Sequence, residues 1–283
     1  MKNRKKVLAA LMAGVMTLSM GTTVFASAED GYALKATNTE EKSPDNDLVI
    51  AIEGSVSSMD PANIPDTNAI SATRGCYEML VAFDENQEIQ GQLAESYEVS
   101  EDSLTYTFHL REGVKFTDGT DFNAAAVKAN YDRIIDKENN LRQRRTFVVT
   151  GEDGSETYRV ESIETPDDYT VVFKLTEPWA PFINRMTQIC MISPAALEEY
   201  GNDIMNHPVG TGPFICTEWE EGDHTTFERN EDYWGEKASV DTVTIKEGSG
   251  GRFPYRLCFR QARLISFIRC LQTRSKQSKE TMM

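Results

Sequence analysis

Leu104-Thr-Tyr-Thr-Phe-His-Leu110 is the stretch that decides the fold class. Large apolar residues alternate with polar ones, which puts four apolar side chains on one face, as in a half-buried strand. The turn pair Asp118-Gly119 follows. Asn123 then precedes apolar residues at helical spacing between Ala124 and Ile135, so that Asn123 is positioned to cap a helix. A strand, a turn and a capped helix in succession predict an α/β or mixed α+β fold.

The same two periodicities recur along the chain. A short apolar run rich in β-branched residues predicts a buried strand, and alternation predicts half-buried strands. Pro at a first helical position and Gly just past the last one mark the ends of a further helix. The predicted strands are Leu48–Ile52, Thr170–Leu175 and Val240–Ile245; the predicted helices are Ala195–Tyr200, opened by Ser193-Pro194, and one within Ala69–Phe83 that leads into a strand.

The first 28 residues have the three parts of a signal peptide. Lys2, Arg4, Lys5 and Lys6 form a basic region, Val7 to Val24 are mostly apolar, and Ala26-Ser27-Ala28 is a small-residue cleavage site. No cysteine precedes Cys76, so this sequence has no lipobox cysteine to carry a lipid anchor. We therefore expect an exported protein, free in the periplasm or the medium. Residues 29–46 are polar and predict a flexible mature N-terminus.

The charge excludes one class of partner. The formal net charge is -16, although residues 1–28 and 247–283 are both basic, so the acidity lies between them. A body of this sign repels nucleic acid and anionic membranes. We expect no nucleic-acid partner, and we interpret the acidity as a solvated surface rather than a cation site.

Cysteine and histidine usage gives no sign of a cofactor. Five cysteines occur without a CxxC pair, and the three histidines lack the spacing of metal ligands. A bridge between Cys190 and Cys216 and buried free thiols both remain open. No nucleophile, base or carboxylate pair is fixed by the sequence, so a secreted enzyme is the weaker alternative. We expect no metal, no cofactor and no catalytic residue.

Five blocks, in this order and spacing, resemble bacterial extracellular solute-binding proteins of family 5, which serve peptide and nickel ABC importers. Ala126 is one departure, because relatives often have Asp there, and we interpret it as surface variation. The blocks are Leu93–Ser100, Thr105–Thr120, Asn123–Val127, His207–Phe214 and Arg229–Trp234.

The resemblance implies a lobe like that of type II periplasmic binding proteins, part of a clamp that closes on its ligand. Residues 47–78 and 178–246 would form a first-lobe subdomain, with 79–177 inserted as a smaller one. The implied partners are a peptide or other small solute and an ABC permease in the membrane, with the receptor itself a monomer. A receptor for nickel, haem or another small solute is the alternative within the family.

The resemblance also places a candidate ligand loop after the first strand, at Asn63 to Asn68. Asn63, Pro65, Asp66 and Thr67 are the expected contacts, with backbone groups pairing along an extended peptide. Asp66 could pair with a peptide ammonium group or could cap the following helix. Arg145, from the cationic cluster Arg142, Arg144 and Arg145, could face a ligand carboxylate or lie in an exposed loop.

Two further groups are interpreted mainly as architecture. Gly210-Thr-Gly-Pro213 has no Lys or Ser/Thr at the spacing of a phosphate loop, so it predicts a sharp backbone path. The aromatic residues could line a ligand cleft, but their Pro and Gly neighbours favour packing at a core edge. These residues are Trp179, Trp219, Tyr233 and Trp234.

The sequence after Lys246 changes character. It becomes basic and loses periodicity, and back-translation of Leu257–Gln277 in another reading frame gives a peptide similar to the family's next segment. We therefore expect residues 247–283 to be a frameshifted tail and the second lobe to be missing. A clamp with one face would bind peptides weakly, because much of the ligand surface would stay in water.

Overall fold

The computed structural model describes residues 46–84 and 86–248. The predicted signal peptide, nearly all of the predicted flexible N-terminus and all but two residues of the predicted tail lie outside these ranges. Within them, no helix is both long enough and apolar enough to span a membrane.

Twelve strands and five α-helices follow one another along the described chain. The strands are β1 (Asp47–Glu53), β2 (Val81–Phe83), β3 (Ile89–Gly91), β4 (Ala94–Val99), β5 (Thr105–Leu110), β6 (Val148–Thr150), β7 (Glu156–Tyr158), β8 (Val160–Asp167), β9 (Thr170–Leu175), β10 (Phe214–Glu220), β11 (His224–Arg229) and β12 (Thr242–Gly248). The helices are α1 (Thr67–Thr73), α2 (Ala124–Ile135), α3 (Arg144–Phe147), α4 (Phe182–Met186) and α5 (Pro194–Tyr200), with 3-10 turns at Lys137–Asn139 and Gly201–Asn206.

The two ends of the described chain meet in one mixed sheet. β1 pairs in parallel with β12, so that Leu48 lies opposite Val243. β12 also pairs antiparallel with β11, which pairs with β10, and the strand order is β1-β12-β11-β10. The strand predicted at Val240–Ile245 is confirmed with a shift, because it begins at Thr242 and continues to Gly248, two residues past Lys246.

A second sheet contains the stretch with which the sequence analysis began. Its order is β4-β5-β9-β8, and every pairing in it is antiparallel. In β5, Tyr106, Phe108 and Leu110 are buried while the residues between them are half-buried, so the predicted alternation is confirmed. α2 lies against this sheet through contacts with β8 and β9.

Each of these sheets packs on its own hydrophobic cluster. The cluster of the mixed sheet includes Leu48, Tyr77, Phe227 and Val243. That of the antiparallel sheet is richer in aromatic residues, with Phe173 edge-on to Phe108 at 5.7 Å between ring centroids. Ala62, Phe182, Met186, Ile189 and Met191 join the second cluster although they come from ranges assigned to the first-lobe subdomain. The boundary near residue 178 therefore stays a prediction.

Side-chain caps fix the starts of three of the helices, α1, α2 and α5. Asn123 accepts a hydrogen bond from the Ala126 amide at 3.0 Å, and Ser193 accepts one from Ala196 at 3.3 Å, so both predicted starts are confirmed. α1 begins earlier than expected, at Thr67, because Asp66 accepts from the Ala69 amide at 2.9 Å. Thr67 and Asn68 were predicted in a loop, but the Asp66 cap ends the loop and places both in the first helical turn.

The Gly210–Pro213 segment passes very close to the backbone of Cys76. A Cβ atom at Gly210 would lie 2.3 Å from the Cys76 carbonyl oxygen, and one at Gly212 would lie 2.5 Å from the Cys76 carbonyl carbon. No larger residue fits such an approach. The architectural interpretation of this motif is confirmed by these contacts.

Candidate functional site

An open cleft of about 370 Å³ lies where three separate segments meet. The segments are the loop and helix after β1, the turn that leads into α3, and the stretch from α4 to Cys190. Its lining residues combine apolar and cationic side chains, and no Asp or Glu is among those that the structure describes. They are Pro61, Ile64, Pro65, Ile70, Thr73, Arg74, Met79, Arg142, Gln143, Arg145, Thr146, Arg185, Thr187, Gln188 and Cys190.

A nearly buried ion pair fixes the first of the three walls, the loop that follows β1. Both oxygens of Asp60 accept from the Arg133 guanidinium, at 3.2 and 2.7 Å, and the two side chains are only 8% and 12% exposed. Asp60 also accepts from the Ala62 amide at 3.0 Å. A bidentate pair of this kind sets both the position and the orientation of the loop. The loop next to Pro61 is thereby tied to α2.

Gln143 joins the three walls. Its backbone amide donates to the Ala62 carbonyl at 3.1 Å, and its side-chain amide donates to the Gln188 carbonyl at 2.8 Å. Met79 forms an isolated β-bridge with Cys190, and both residues line the cleft. The cleft is therefore shaped by hydrogen bonds between segments that are far apart in sequence.

The three arginines of the predicted cationic cluster separate in the structure. Arg144 turns away and binds both oxygens of Glu156, at 3.0 and 2.8 Å, and donates to the Ile135 carbonyl at 2.7 Å. Arg142 and Arg145 are exposed and line the cleft. The cluster therefore divides into one structural arginine and two available ones.

The five predicted ligand residues lie near one another but not all in the cleft. Pro65 and Arg145 line it, whereas Asn63, Asp66 and Thr67 are not among the described residues that do. Asn63 is exposed, and its amide closes a turn onto the Asp60 carbonyl at 3.0 Å. Both Asp66 oxygens are engaged, one by the Ala69 amide and the other by the Ser57 hydroxyl at 2.5 Å. Helix capping is thus the role that the structure gives Asp66.

Arg74 and Arg185 also line the cleft, and neither was predicted from the sequence as a site residue. Arg74 follows α1, and Arg185 lies within α4. A signal was present, because the cleft arginines all occur in stretches without Asp or Glu, at 67–77, 139–151 and 178–197. In a chain this acidic, such stretches indicate arginines that have no local carboxylate.

The aromatic residues considered as cleft candidates pack instead. Trp179 and Trp234 lie against the cluster of the antiparallel sheet, and Trp219 lies against the other cluster and donates to the Val56 carbonyl at 3.1 Å. Tyr233 and Trp234 donate to the buried Glu78 carboxylate at 2.7 and 2.8 Å. The packing interpretation is confirmed for these four residues.

The described cysteines are free thiols. Cys76, Cys190 and Cys216 form no disulfide, and Cys258 and Cys270 lie outside the described residues. Desolvation raises the pKa of Cys190 to about 12, so this thiol in the cleft lining is protonated at neutral pH. A protonated thiol is a poor metal ligand and a poor nucleophile.

One group of side chains away from the cleft has the proximity of metal ligands. Ligand atoms of Glu220, Asp223 and His224 lie within 4.8 Å of one another at an exposed hairpin turn. The His224 ring nitrogens are already paired with Glu218 at 3.0 Å and Asp223 at 2.6 Å. These two carboxylates raise the pKa of His224. Ion pairing at the surface therefore accounts for the group without a metal.

Comparison with known proteins places this arrangement among solute receptors. The glutathione-binding protein GsiB of Escherichia coli K12 is 37% identical over 223 residues, which cover 78% of this chain and 39% of GsiB. DppA from Helicobacter pylori, solved in complex with the peptide STSA, is 33% identical with a TM-score of 0.59, covering 71% of this chain and 42% of DppA. The chain thus spans about two fifths of the length of these relatives.

A third relative has a different ligand. NikZ from Campylobacter jejuni, solved in complex with Ni(L-His), is 26% identical with a TM-score of 0.64, covering 72% of this chain and 40% of NikZ. The model of the bacterial extracellular solute-binding proteins, family 5, matches residues 88–249, more than half of the chain. The type II periplasmic-binding-protein fold predicted from the sequence is confirmed by these neighbours. The chain belongs to family 5 of the bacterial extracellular solute-binding proteins.

Proposed function

We propose that this chain is the substrate-binding component of an ABC importer and that its solutes are small peptides. The observation that carries the proposal is the family match across residues 88–249 together with an open cleft built from three fixed walls. Two of the relatives described above carry a peptide, STSA, or glutathione in their names. An ABC permease is the proposed membrane partner.

The cleft is the proposed site of contact with the solute. Pro65 and Arg145 would touch the ligand directly, because both line the cleft. Asn63, Asp66 and Thr67 lie in the same loop and helix start. Asn63 and Thr67 would contact the parts of a peptide that extend beyond the cleft, whereas Asp66 would act by holding the helix start that it caps. The backbone of the loop around Asn63 and Pro65 would pair with an extended ligand.

A nickel or haem receptor is the second candidate within the family. NikZ, with its Ni(L-His) ligand, supports it. Against it, no His is among the described lining residues, and Cys190, whose pKa is raised to about 12, is protonated. A metal would therefore have to enter with its own ligands, and the cleft chemistry favours a peptide.

The remaining parts of the proposal concern context. Receptors of this family bind substrates rather than transform them, and no enzymatic activity is proposed. The chain would be exported through residues 1–28, act outside the cytoplasm, and work as a monomer. Its net charge of -16 supports the absence of nucleic-acid binding.

A matched pair of tryptophan substitutions tests the cleft. Ile70 lines it and is 42% exposed, while Val99 lies on β4 away from it and is 44% exposed. We expect Ile70→Trp to weaken binding of a di- to pentapeptide pool about fivefold or more by filling the cleft, and Val99→Trp to leave it unchanged. Ligand-observed NMR at millimolar peptide detects even weak binding. Equal effects of both substitutions, or no binding at all, would contradict the proposal.

A further inference from the structure

The arginines of the described chain fall into two groups. Nine occur in residues 46–84 and 86–248. Five of them form ion pairs with carboxylates, and the remaining four have no hydrogen bond or ion pair from the guanidinium to another described residue. The paired group is Arg111, Arg133, Arg144, Arg159 and Arg229. The unpaired group is Arg74, Arg142, Arg145 and Arg185, and every one of them lines the cleft.

The gathering of all four unpaired arginines in one cleft is not what a random placement in this acidic chain predicts. The chain has 45 Asp and Glu against 29 Lys and Arg, so a surface arginine meets a carboxylate readily. Like charges gathered in one concavity repel one another, and the walls around them focus their field. Four guanidinium groups without a counter-charge in one cleft therefore constitute a site that an anionic ligand would complete.

The type of anion follows from the rest of the lining. A guanidinium presents a rigid fork of donors that matches a carboxylate or phosphate group. Beside the arginines, the cleft presents Ile64, Pro65 and Ile70, which are apolar, only partly buried or exposed, and offer contact to a carbon skeleton. A bare inorganic ion would leave this apolar part in water, whereas an organic acid would cover it.

From these contacts we infer that the cleft selects a small organic solute with at least two carboxylate groups, and that an acidic peptide fits it best. The inference rests on the proposed function and adds its substrate class. Arg74, Arg185 and the pair Arg142 and Arg145 come from three different segments of the cleft lining. At least two carboxylates are needed to engage arginines on more than one wall.

The first test compares two peptides of equal size with the full chain. Ala-Glu-Glu and Ala-Gln-Gln differ only in two side-chain charges, and inorganic phosphate serves as the anion without a carbon skeleton. We expect Ala-Glu-Glu to bind about tenfold tighter than Ala-Gln-Gln at low salt, an advantage that high salt reduces. Phosphate should compete only weakly. Ligand-observed NMR titration measures all three.

The second test uses charge-matched variants of the receptor. Arg145→Gln and Arg185→Gln should each weaken the binding of Ala-Glu-Glu about five- to twentyfold and should change the affinity for Ala-Gln-Gln by less than about twofold. Arg159→Gln removes the same charge from an arginine that pairs with Glu177 and stacks on Trp179 outside the cleft. This control should leave both peptides unaffected.

The outcomes separate the inference from the proposed function. Equal affinity for the two peptides, or equal losses in all three variants, would overturn the acidic selectivity while leaving a peptide receptor. Phosphate that binds as well as Ala-Glu-Glu would overturn the choice of an organic ligand. Absence of binding by either peptide would overturn the proposed function and the inference together.

Discussion

The charged groups of the cleft and the carboxylate of Glu78 differ in whether they have hydrogen-bonding partners within the protein. Glu78 is 2% exposed, and its carboxylate accepts from Tyr233, Trp234, Thr211 and Gln92 at 2.7 to 3.3 Å. We call these five residues the Glu78 junction. Its single charge is saturated by donors, whereas the four arginines of the cleft have no partner among the described residues.

The difference separates polar groups that hold the fold from polar groups that await a ligand. Burial raises the pKa of Glu78, and the hydrogen bonds that its carboxylate accepts partly counteract this rise. This combination is characteristic of a structural carboxylate. The Glu78 carbonyl also accepts from the Met191 amide at 2.9 Å, so the junction connects segments of both hydrophobic clusters. Substitutions at the junction should therefore affect stability, and substitutions in the cleft should affect binding.

The largest effect is expected at the junction. Glu78→Ala leaves the buried donor of Thr211 and the partly buried donors of Tyr233 and Trp234 without an acceptor, and an unpaired buried donor costs about 1–3 kcal/mol. We expect the free energy of unfolding in urea to fall by about 3 kcal/mol or more. Glu98→Ala, at an exposed position on β4, is the matched control and should change it by less than about 0.5 kcal/mol. Similar decreases in the free energy of unfolding of both variants would show that the Glu78 junction has no special structural role.

The next effect is expected at the ion pair that supports the cleft wall. Arg133→Ala leaves the Asp60 carboxylate without its ion-pair partner. We expect the free energy of unfolding to fall by about 2–3 kcal/mol, less than the roughly 3–5 kcal/mol lost when a fully buried pair is broken. The reason for the smaller value is the remaining 8% and 12% exposure of the two side chains. Urea unfolding of both single variants and the double variant gives the coupling energy. A purely additive double variant would show that the pair does not hold the loop.

A smaller effect is expected at the start of α1. Asp66→Ala removes the hydrogen bond to the Ala69 amide and should cost about 1 kcal/mol, while Asp66→Asn keeps an acceptor and should cost little. Thermal unfolding of the two variants checks the difference. If Asp66→Ala instead left stability intact and abolished peptide binding, Asp66 would be a ligand residue and not a cap.

The smallest effect on stability is expected in the cleft itself. Arg142→Gln and Arg145→Gln remove no side-chain hydrogen bond or ion pair with a described residue, so the free energy of unfolding should stay within about 0.5 kcal/mol of the parent. A small gain would also fit, because a repulsion between like charges disappears. A loss of about 2 kcal/mol in urea unfolding would show that these arginines have a structural role.

The sequence predicted local structure better than it predicted the site. The alternation of Leu104–Leu110, the Asn123 cap and the Ser193-Pro194 start appear as expected, because each depends on neighbouring residues. The cleft depends on contacts such as that of Gln143 with Gln188, which are 45 residues apart. The lack of Asp and Glu near Arg74 and Arg185 was a local signal that they have no nearby carboxylate, but no local pattern encodes the contacts that bring them into one cleft.

Arg145 illustrates what a charge pattern in the sequence can predict and what it cannot. Arg142, Arg144 and Arg145 look equivalent in sequence, yet Glu156 engages only Arg144. β7 brings Glu156 back beside β6, and this tertiary pairing decides which arginines remain available. The sequence could therefore predict a cationic cluster but could not assign roles within it.

Backbone amide shift mapping of Ala-Glu-Glu on the isotopically labelled full chain tests the separation of the two regions most directly. We predict that the largest shifts occur in the three walls of the cleft, at residues 64–74, 142–146 and 185–190. The amide of Thr211 and the indole of Trp234, both in the Glu78 junction, should not move. Shifts concentrated at the junction, or absent from all three walls, would contradict the account.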